Sequence, residues 1–507
     1  MCFGRELKRK FQNEELLRNK MNGEKNAQTL GQRAMRGMIW KTIENVGFRV
    51  IQIVIQIVLA RLLLPEEYGL VGLLSIFISI TDVIILQGLT TALIQKKDAD
   101  DTDFSSVFFA NMVCSIGIYL ILFVSAPLGA EFYHEPALVD IMRVLSFIVI
   151  IGAAPAVHNA IMARNLDFKK SFFRNISNVA TQGIVGITLA YMGFGVWALV
   201  FSKLSGTFVG AVVLCITVKW KPRRLFSMER IKTMFSYSSK VLGTNLLNTV
   251  FNNIHSLIIG RYYTAADLGY YQRGQQIPQM AMGAVDGSMS EVLYPTFSKL
   301  QNDIDALKNV LRRSIRLSMF FVLPILFGLF AVAEPLTLFL LTEKWLPCVP
   351  FMQLSCIVCM FWPLSHRSQA LNAMGKSNVT LKLSLIGRSI TLALIFICIR
   401  FGIYAIMIGT ILSSATNMWI TSAYVKKYTG YTIKELFKDV LPSLILSAAM
   451  AAVVMVVGKI ELPLIISLAL QIFVGGVFYA GGAIIFRMES MMYVLNTIFK
   501  RFIRKTR

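Results

Sequence analysis

Apolar runs of about 20 residues recur along the whole of this sequence. A helix of about that length crosses the hydrocarbon core of a bilayer. Hydrophobic residues make up 55% of the 507 residues and charged residues only 16%, so the runs predict an all-α polytopic membrane protein. We place about 14 transmembrane helices, at 37–64, 68–94, 106–128, 142–163, 174–193, 196–218, 239–262, 274–297, 315–341, 349–373, 379–400, 402–425, 440–457 and 462–486.

The positive charge of the chain follows the loops between these spans. A net charge of +23 would favour a nucleic-acid partner in a soluble protein. Of the 51 Lys and Arg residues, however, 39 lie in the termini and alternate loops, and only five lie in the other loops. Cytoplasmic loops of membrane proteins carry such an excess. We therefore predict cytoplasmic termini and no nucleic-acid partner.

Two basic segments have an amphipathic character. Residues 219–238 read "KWKPRRLFSMERIKTMFSYS", and residues 487–507 combine apolar and basic side chains in the same way. This pattern is typical of helices that lie in the membrane interface and contact anionic lipids. We expect both segments to form such helices, with membrane lipids as partners.

The sequence contains an internal repeat. Shifted by 200 positions, "ENVGFRVIQIVIQIVLARLLLPEEYG" aligns with "TNLLNTVFNNIHSLIIGRYYTAADLG". Further along, "PAVH" at 155 matches "PLSH" at 363, and "FGVWALV" at 194 matches "FGIYAIM" at 401. Three matches in one order indicate a duplication. We predict two six-helix bundles related by a pseudo-two-fold axis along the membrane normal, plus a C-terminal helix pair.

The repeat also gives the expected domains. They are a basic cytoplasmic tail at 1–35, an N-terminal bundle at 36–218, an amphipathic linker at 219–238, a C-terminal bundle at 239–425, an additional helix pair at 426–486 and a basic amphipathic tail at 487–507.

Each predicted bundle opens with a helix that carries a polar face. Residues three and four apart share a face of a helix, and the first span has this spacing at Lys41, Asn45, Arg49 and Gln52. The seventh span repeats it at Val241, Asn245, Asn248, Asn252 and His255 or Ser256. Two interpretations are open: the faces line a water-filled cavity, or they hold helices together by hydrogen bonds.

Ionisable side chains lie in other predicted spans as well. A charge at bilayer depth is costly and usually faces protein or water. Basic members outnumber acidic ones, which suits an anionic cargo such as a lipid diphosphate; internal salt bridging is the alternative. The residues are Glu44 in the first span and, further on, Asp82, Arg143, Lys203, Asp286, Glu291, Arg367 and Arg388. His158 and His366 occupy equivalent positions after a proline, and we expect each to be packed and singly hydrogen-bonded.

Motifs for enzymatic or metal chemistry are weak in this sequence. "ALNAMGKS" lacks the first glycine of a phosphate-binding loop and follows no strand. "CIVC" at 356–359 lies within a span and has no second cysteine pair, and the four histidines are scattered. "DADDTD" at 98–103 reads as a solvated loop. We expect no catalytic residues, no metal site and no cofactor.

Several segments in one order resemble a known family. They are "GMIW" at 37, "ARLLLPEEYGLVGL" at 60, "LTTALIQKKD" at 89, "ARNLDFKK" at 163, "GFGVWALV" at 193, "GRYYTAADLGYYQRGQQIPQM" at 260 and "VLYPTFSKLQND" at 292. Together they are similar to the Wzx-type polysaccharide-unit flippases of the multidrug/oligosaccharidyl-lipid/polysaccharide exporter superfamily, in the colanic-acid and teichuronic-acid branch. The resemblance covers roughly residues 36–486.

The resemblance implies a bacterial inner-membrane flippase that moves undecaprenyl-diphosphate-linked oligosaccharide to the outer leaflet by alternating access. Its partners would be that lipid-linked cargo, a polysaccharide polymerase and the chain-length machinery. The substrate-binding candidates, from the polar faces and from the resemblance, are Lys41, Asn45, Arg49, Gln52, Lys203, Asn245, Asn252 and Arg388. Coupling to H⁺ or Na⁺ would involve Glu44, Asp82, Asp286 or Glu291.

Three alternatives remain open at the level of sequence. They are a multidrug exporter of the same superfamily, a lipid II flippase, and a membrane polysaccharide polymerase or ligase. A polymerase or ligase should present a large external loop, whereas the external loops here are short. An exporter of organic cations would favour an acidic chamber, opposite to the basic majority in the spans.

Overall fold

The computed structural model describes residues 48, 51–96, 98–165 and 167–493, except the side chains of residues 168, 237, 284, 288 and 291. These residues form helices, with no strand among them. The first helices are α1 Ile51–Leu62, α2 Pro65–Gln87, α3 Leu89–Gln95, α4 Asp101–Tyr133, α5 Leu138–Leu145, α6 Ile148–Ala153, α7 Ala156–Arg164, α8 Phe168–Tyr191, α9 Val196–Val218 and α10 Met228–Tyr262. The rest are α11 Ala265–Lys299, α12 Ile304–Ala331, α13 Ala333–Leu341, α14 Val349–Cys359, α15 His366–Ala373, α16 Ser377–Cys398, α17 Ile403–Thr429, α18 Ile433–Val457 and α19 Leu464–Ile485.

The membrane-spanning character of the chain is visible in these helices. Ten described helical stretches are long and apolar enough to cross a bilayer. The four other predicted spans coincide with α1, α8, α10 and α11, which are helical but shorter or more polar. An all-α polytopic membrane protein is what the sequence predicted, whereas the count of 14 spans stays a prediction.

Local features of the repeat recur in the structure. α2 and α11 begin 200 positions apart, at Pro65 and Ala265. At the start of α2, Glu67 accepts a hydrogen bond from the backbone N–H of Leu64. At the start of α11, Asp267 accepts one from the backbone N–H of Thr264. Such contacts satisfy free N–H groups at a helix start, and at α11 the contact is reciprocal because the Thr264 hydroxyl accepts from the N–H of Asp267. Gly195 and Gly402 precede α9 and α17 and both have positive φ, which glycine adopts without steric cost.

The chain divides into two compact units. Of the described residues, the first contains those up to 63 and those from 74 to 254, and the second contains 64–73 and 255–493. In the first unit α8 packs along α9, where Ser202 donates to the carbonyl of Gln182 at 2.7 Å. In the second, α12 packs against α18, and α11 against α14.

The linker differs from its prediction. We expected a separate interfacial helix over 219–238, but residues 219–227 are not helical and α10 runs without a break from Met228. The reason is local anchoring in the first unit. The N–H groups of Arg223 and Ser227 donate to the hydroxyls of Ser105 and Ser106 at the start of α4, at 3.0 and 2.9 Å.

Charge pairing adds to this anchoring. The guanidinium of Arg230 contacts Asp100 at 2.5 Å and Asp103 at 3.3 Å. The hydrogen bond from Arg230, with one from the backbone of Asp103, lowers the pKa of Asp100 to about 2. The first turns of α10 are thereby tied to the start of α4.

Candidate functional site

A polar cavity of about 390 Å³ lies in the second unit. Three parts of the chain line it: the middle of α11, the segment that runs from after α14 into the first turn of α15, and the middle of α17. Its lining residues are Asp286, Phe361, Trp362, Leu364, Ser365, Arg367, Ser368, Ser414, Asn417, Met418 and Thr421.

Local sequence explains how these elements expose polar groups. Pro363 lies in the short 3₁₀ segment Trp362–Ser365, which separates α14 from α15. Proline has no backbone N–H to donate, so an interruption of the helix at Pro363 leaves one donor fewer unpaired than an interruption elsewhere in the span. On α17, Ser414, Asn417 and Thr421 follow a spacing of three and four and therefore share one face.

Arg367 supplies a buried positive charge to the cavity. It is only 2% exposed. Its guanidinium donates to the Ser422 hydroxyl at 2.6 Å and to the carbonyls of Leu364 at 3.1 Å and Met418 at 3.4 Å. Within the described part of the chain these acceptors are neutral, so the contacts orient the arginine without cancelling its charge. An arginine held this way can attract an anion.

Asp286 and His366 form a pair at the same cavity. The Nε2 atom of His366 lies 3.1 Å from Oδ1 of Asp286. The histidine side chain is 0% exposed, whereas the Asp286 side chain is 19% exposed and lines the cavity. Three residues further on, Gln369 donates to the Ser290 hydroxyl at 3.0 Å, which also links α15 to α11. The cavity therefore contains a carboxylate backed by an imidazole.

A second pair of charged groups lies in the first unit. Asp82 is on α2 and Lys203 on α9, and their charges interact electrostatically. The sequence had assigned the lysine to substrate binding and the aspartate to ion coupling. The structure brings the two residues into one electrostatic environment.

The other predicted site residues are not among those that line the cavity, or they lie outside the described part. Gln52 is half-buried on α1 and Asn245 is half-buried on α10, where Asn252 is exposed. Arg388 is half-buried on α16 and does not line the cavity. Outside the described residues lie Lys41, Glu44, Asn45 and Arg49, and for Glu291 only the backbone is described.

Sequence reasoning missed most of the cavity lining. Arg367 was noted as an intramembrane arginine but not assigned to binding, and His366 was expected to be a packing residue. Two signals were available. The spacing of Ser414, Asn417 and Thr421 gives a polar face in an apolar span, and His366 recurs in the repeat.

The seventh span gives a different outcome. His255 on α10 contacts the hydroxyl of Thr410 on α17 at 3.0 Å, and its ring stacks on Tyr271. At this position the polar face of α10 makes a hydrogen bond between helices, which was one of the two open interpretations.

Comparison with known proteins decides the family. Residues 58–350, more than half of the chain, match the model of a family described as polysaccharide biosynthesis protein. The chain belongs to this polysaccharide biosynthesis family. The resemblance drawn from the sequence is thereby confirmed.

Several similar proteins are named for the synthesis or transport of polysaccharides. The chain is 27% identical over 323 residues to the succinoglycan biosynthesis transport protein ExoT of Rhizobium meliloti (strain 1021), covering 63% of this chain. That match spans 65% of the relative, less than two thirds of its length. The chain is also 24% identical to the teichuronic acid biosynthesis protein TuaB of Bacillus subtilis (strain 168), covering 83% of this chain and 88% of the relative. Identity to the lipopolysaccharide biosynthesis protein WzxC of Escherichia coli (strain K12) is 21%, covering 84% and 89%.

Solved structures share the fold of this family member. The lipid II flippase MurJ in an inward closed conformation superposes with a TM-score of 0.74 at 15% identity, covering 89% of this chain and 99% of that chain. An inward-facing multidrug resistance MATE family transporter gives a TM-score of 0.62 at 14% identity, covering 78% and 99%. These likenesses confirm the predicted fold class.

Proposed function

We propose that this protein is a flippase that moves lipid-linked saccharides across a membrane for polysaccharide synthesis. The observation that carries the proposal is that a polysaccharide biosynthesis family member holds charged side chains within membrane-spanning helices. Such side chains mark pathways for polar cargo through a bilayer. The family assignment and the transport function in the name of ExoT favour a transporter over an enzyme.

The finer part of the proposal concerns the cargo. We take it to be an undecaprenyl-diphosphate-linked oligosaccharide that moves from the cytoplasmic to the outer leaflet of the bacterial inner membrane by alternating access. A diphosphate carries negative charge, and Lys and Arg recognise phosphate through charge-assisted hydrogen bonds. Lys203 and Arg367 are described residues that could provide such contacts, and Arg49 and Arg388 remain candidates from the sequence.

Ion coupling is part of the same proposal. Asp82 and Asp286 are carboxylates in spans, and each has a cationic or ionisable neighbour, Lys203 or His366. A carboxylate that can replace its positively charged neighbour by H⁺ or Na⁺ is suited to bind either ion during transport. Glu44 and Glu291 stay candidates for this role.

A flipping assay tests the proposal. The purified protein is reconstituted into vesicles whose inner leaflet contains a fluorescent lipid-linked saccharide, and a reductant quenches the probe that reaches the outside. We expect flipping above the rate of protein-free vesicles. Vesicles loaded with lipid II or with an organic-cation drug form the comparison arms. Equal or faster movement of either one would contradict the proposed substrate class.

Two variants test whether a charged residue in a span takes part in flipping. Replacing Lys203 by Gln removes a charge that contributes roughly 1.5–3 kcal/mol when it binds an anion, so flipping should fall about tenfold or more. Lys459→Gln, in the loop after α18, is the matched control and should flip at the normal rate. If folded Lys203→Gln protein flips as fast as the control, the lysine has no part in cargo binding.

A further inference from the structure

We propose that an anionic phospholipid binds where α12, α18 and the end of α19 meet, with its phosphate against a basic wall and one acyl chain in the apolar part of the adjoining cavity. This site shares no lining residue with the cavity that contains Asp286 and Arg367. The inference therefore goes beyond the proposed function and does not depend on it.

Two cavities adjoin at this place. The larger, of about 760 Å³, is lined by α12, α18, α19 and the segment after α19. The smaller, of about 620 Å³, is lined by α12 and by residues within 489–493. Arg312, Arg316, Glu489 and Ser490 line both cavities. Volumes of about 300–1,000 Å³ are typical of small-molecule sites, and a lipid needs only part of its length enclosed because the bilayer solvates the rest.

The larger cavity changes from charged to apolar along α18. Lys438 and Asp439 line one end, whereas Ile445 and Ala449 line it further along the helix. A rise of 1.5 Å per residue places the Cα of Ala449 roughly 16 Å beyond that of Lys438. Phe478 of α19 adds an aromatic ring to the apolar part. A phospholipid has the same order of chemical groups, a charged headgroup followed by an acyl chain.

The charged end lies at the level of lipid headgroups. Lys438 precedes the apolar stretch 440–457 by two residues, and Glu489 follows the stretch 462–486 by three. By the positive-inside rule we predict that this end faces the cytoplasm. The cytoplasmic leaflet has a negative surface potential because it contains anionic phospholipids. The ligand is therefore expected on the side of the membrane where these basic residues lie.

The net charge of the lining is positive. Four basic and two acidic side chains line the two cavities, namely Arg312, Arg313, Arg316, Lys438, Asp439 and Glu489. Lys438 and Arg313 are exposed and form no ion pair among the described residues. The guanidinium of Arg313 instead lies 3.8 Å from the centre of the Tyr493 ring. Two cations thus line the cavities without a counter-ion from the described part of the chain.

Arg316 is the incompletely paired arginine of the basic wall. Its guanidinium donates to Asp439 at 2.7 Å and pairs with Glu489. Its Nε–H is buried and has no acceptor among the described residues. The Glu489 side chain is 78% exposed, so a phosphate oxygen can replace this carboxylate beside Arg316. Basic pockets between transmembrane helices bind anionic lipid headgroups.

Other occupants fit this lining less well. Residues 494–507 contain five basic and no acidic side chains, so they bring no anion to the basic wall. A neutral lipid would fill the apolar part but leave the positive charge without a partner. A lipid-linked diphosphate has both an anion and a chain, but its path crosses the bilayer, whereas this site lies at one end of its helices. An anionic phospholipid matches both the charge and the place.

Native mass spectrometry of the purified, delipidated full-length protein tests the headgroup. We expect phosphatidylglycerol to bind at least tenfold more tightly than phosphatidylcholine, which can have the same chains but has no net charge. Glycerol 3-phosphate, which is an anion without chains, should not bind at the same concentration. If either phosphatidylcholine or glycerol 3-phosphate binds as tightly as phosphatidylglycerol, the inference is wrong.

Two double variants test the basic residues. Lys438→Gln with Arg313→Gln removes the two unpaired cations, and affinity for phosphatidylglycerol should fall about tenfold, or about 1.4 kcal/mol. Lys426→Gln with Lys434→Gln removes two exposed cations of α17 and α18 that line neither cavity, and affinity should stay unchanged. Both double variants keep the buried Asp439 network, so their melting temperatures without lipid should match the wild type. Equal weakening by both would indicate a general attraction to the protein surface and contradict a site here.

A second pair of variants tests the acyl chain and leaves every charge in place. Ala449 and Ala448 are neighbouring exposed residues of α18, but only Ala449 lines the larger cavity. Ala449→Phe should fill the apolar part and weaken phosphatidylglycerol binding severalfold, whereas Ala448→Phe should bind as the wild type does. Unchanged binding by folded Ala449→Phe protein would show that the acyl chain lies elsewhere and would overturn the inference.

A competition experiment distinguishes the phospholipid from the cargo. A short-chain polyprenyl diphosphate saccharide at the same concentration should leave phosphatidylglycerol bound. If it displaces the phospholipid and binds more weakly to the Lys438→Gln, Arg313→Gln variant, the cavity belongs to the cargo path; the inference is then wrong and the flippase function stands. If phosphatidylglycerol binds as expected but no lipid-linked saccharide flips, the proposed function is wrong and the phospholipid site stands.

Discussion

At the scale of single residues, two glycines allow a backbone contact that no other residue would. A Cβ atom on Gly69 would lie 1.7 Å from the carbonyl oxygen of Ala265, and one on Gly269 would lie 2.2 Å from that of Pro65. Both contacts are within the second unit, where the first turns of α2 and α11 cross. The two positions correspond in the repeat, so the crossing is formed by equivalent residues of the two halves.

Gly69→Ala should therefore destabilise the protein. The obstructing atoms belong to the backbone, which cannot rotate away as a flexible side chain can, and overpacking of this kind costs roughly 1–3 kcal/mol. We expect a lower melting temperature and a lower yield of monodisperse protein in detergent. Gly117→Ala is the control, since a Cβ there meets no atom within 4 Å. Equal melting temperatures for both variants would show that α2 and α11 do not cross as described.

At the scale of secondary-structure elements, one buried carboxylate joins α18 to α12. Asp439 accepts hydrogen bonds from Arg312 at 2.9 Å through both oxygens, from Arg316 at 2.7 Å and from Tyr431 at 3.0 Å. Its side chain is 2% exposed, whereas those of the two arginines are about a quarter exposed. The α18–α19 pair lies beyond the second repeat, and this network is one of its polar attachments to α12, beside the Lys308–Glu435 ion pair and the hydrogen bond from Tyr479 to the carbonyl of Phe320.

Asp439→Asn should weaken that attachment. Removing the carboxylate takes away the buried counter-charge of both arginines and leaves Arg312 only Glu435 and Arg316 only the exposed Glu489. Breaking a buried pair costs up to about 3–5 kcal/mol. Because the arginines are partly exposed, we expect roughly 2 kcal/mol and earlier proteolysis of the loop at 458–463. Glu489→Gln is the control, since this exposed partner of Arg316 should contribute under about 1 kcal/mol. Similar proteolysis rates for the two variants would contradict the role of Asp439.

At the scale of the whole molecule, the distribution of basic residues gives a topology. Most of the Lys and Arg residues lie in alternate loops and at the termini. In the first unit, the basic linker is held at the start of α4 by Ser105 and Ser106, which places 219–227 at the same end of that unit as the loop before α4. By the positive-inside rule, we predict that this end lies in the cytoplasm.

Reporter tags test this topology. Tags at Gly4, Ser227 and Thr506 should all report the cytoplasm, because those segments hold most of the basic loop charge. A tag at Glu67, at the start of α2, should report the opposite side. Detection of the Glu67 and Ser227 tags on the same side in intact cells would overturn the assignment.

The sequence by itself determined the class of this protein and much of its local structure. Apolar length fixes that a segment spans a membrane, because the thickness of the hydrocarbon core is constant. The starts of α2 and α11 and the glycines before α9 and α17 lie at equivalent positions of the repeat, since capping and positive φ depend on a few neighbouring residues. The family followed from segments in one order.

Only the tertiary structure decided which polar groups meet. Periodicity shows that Asp286 and His366 are polar positions in apolar helices, but the rotation of each helix about its axis is set by packing against its neighbours. The same holds for Asp439, which the sequence did not single out, and for the linker, where hydrogen bonds to Ser105 and Ser106 replaced a predicted interfacial helix. Spanning a membrane is a property of about 20 consecutive residues, whereas a site is a property of side chains distant in sequence, whose contacts exist only once the helices have packed.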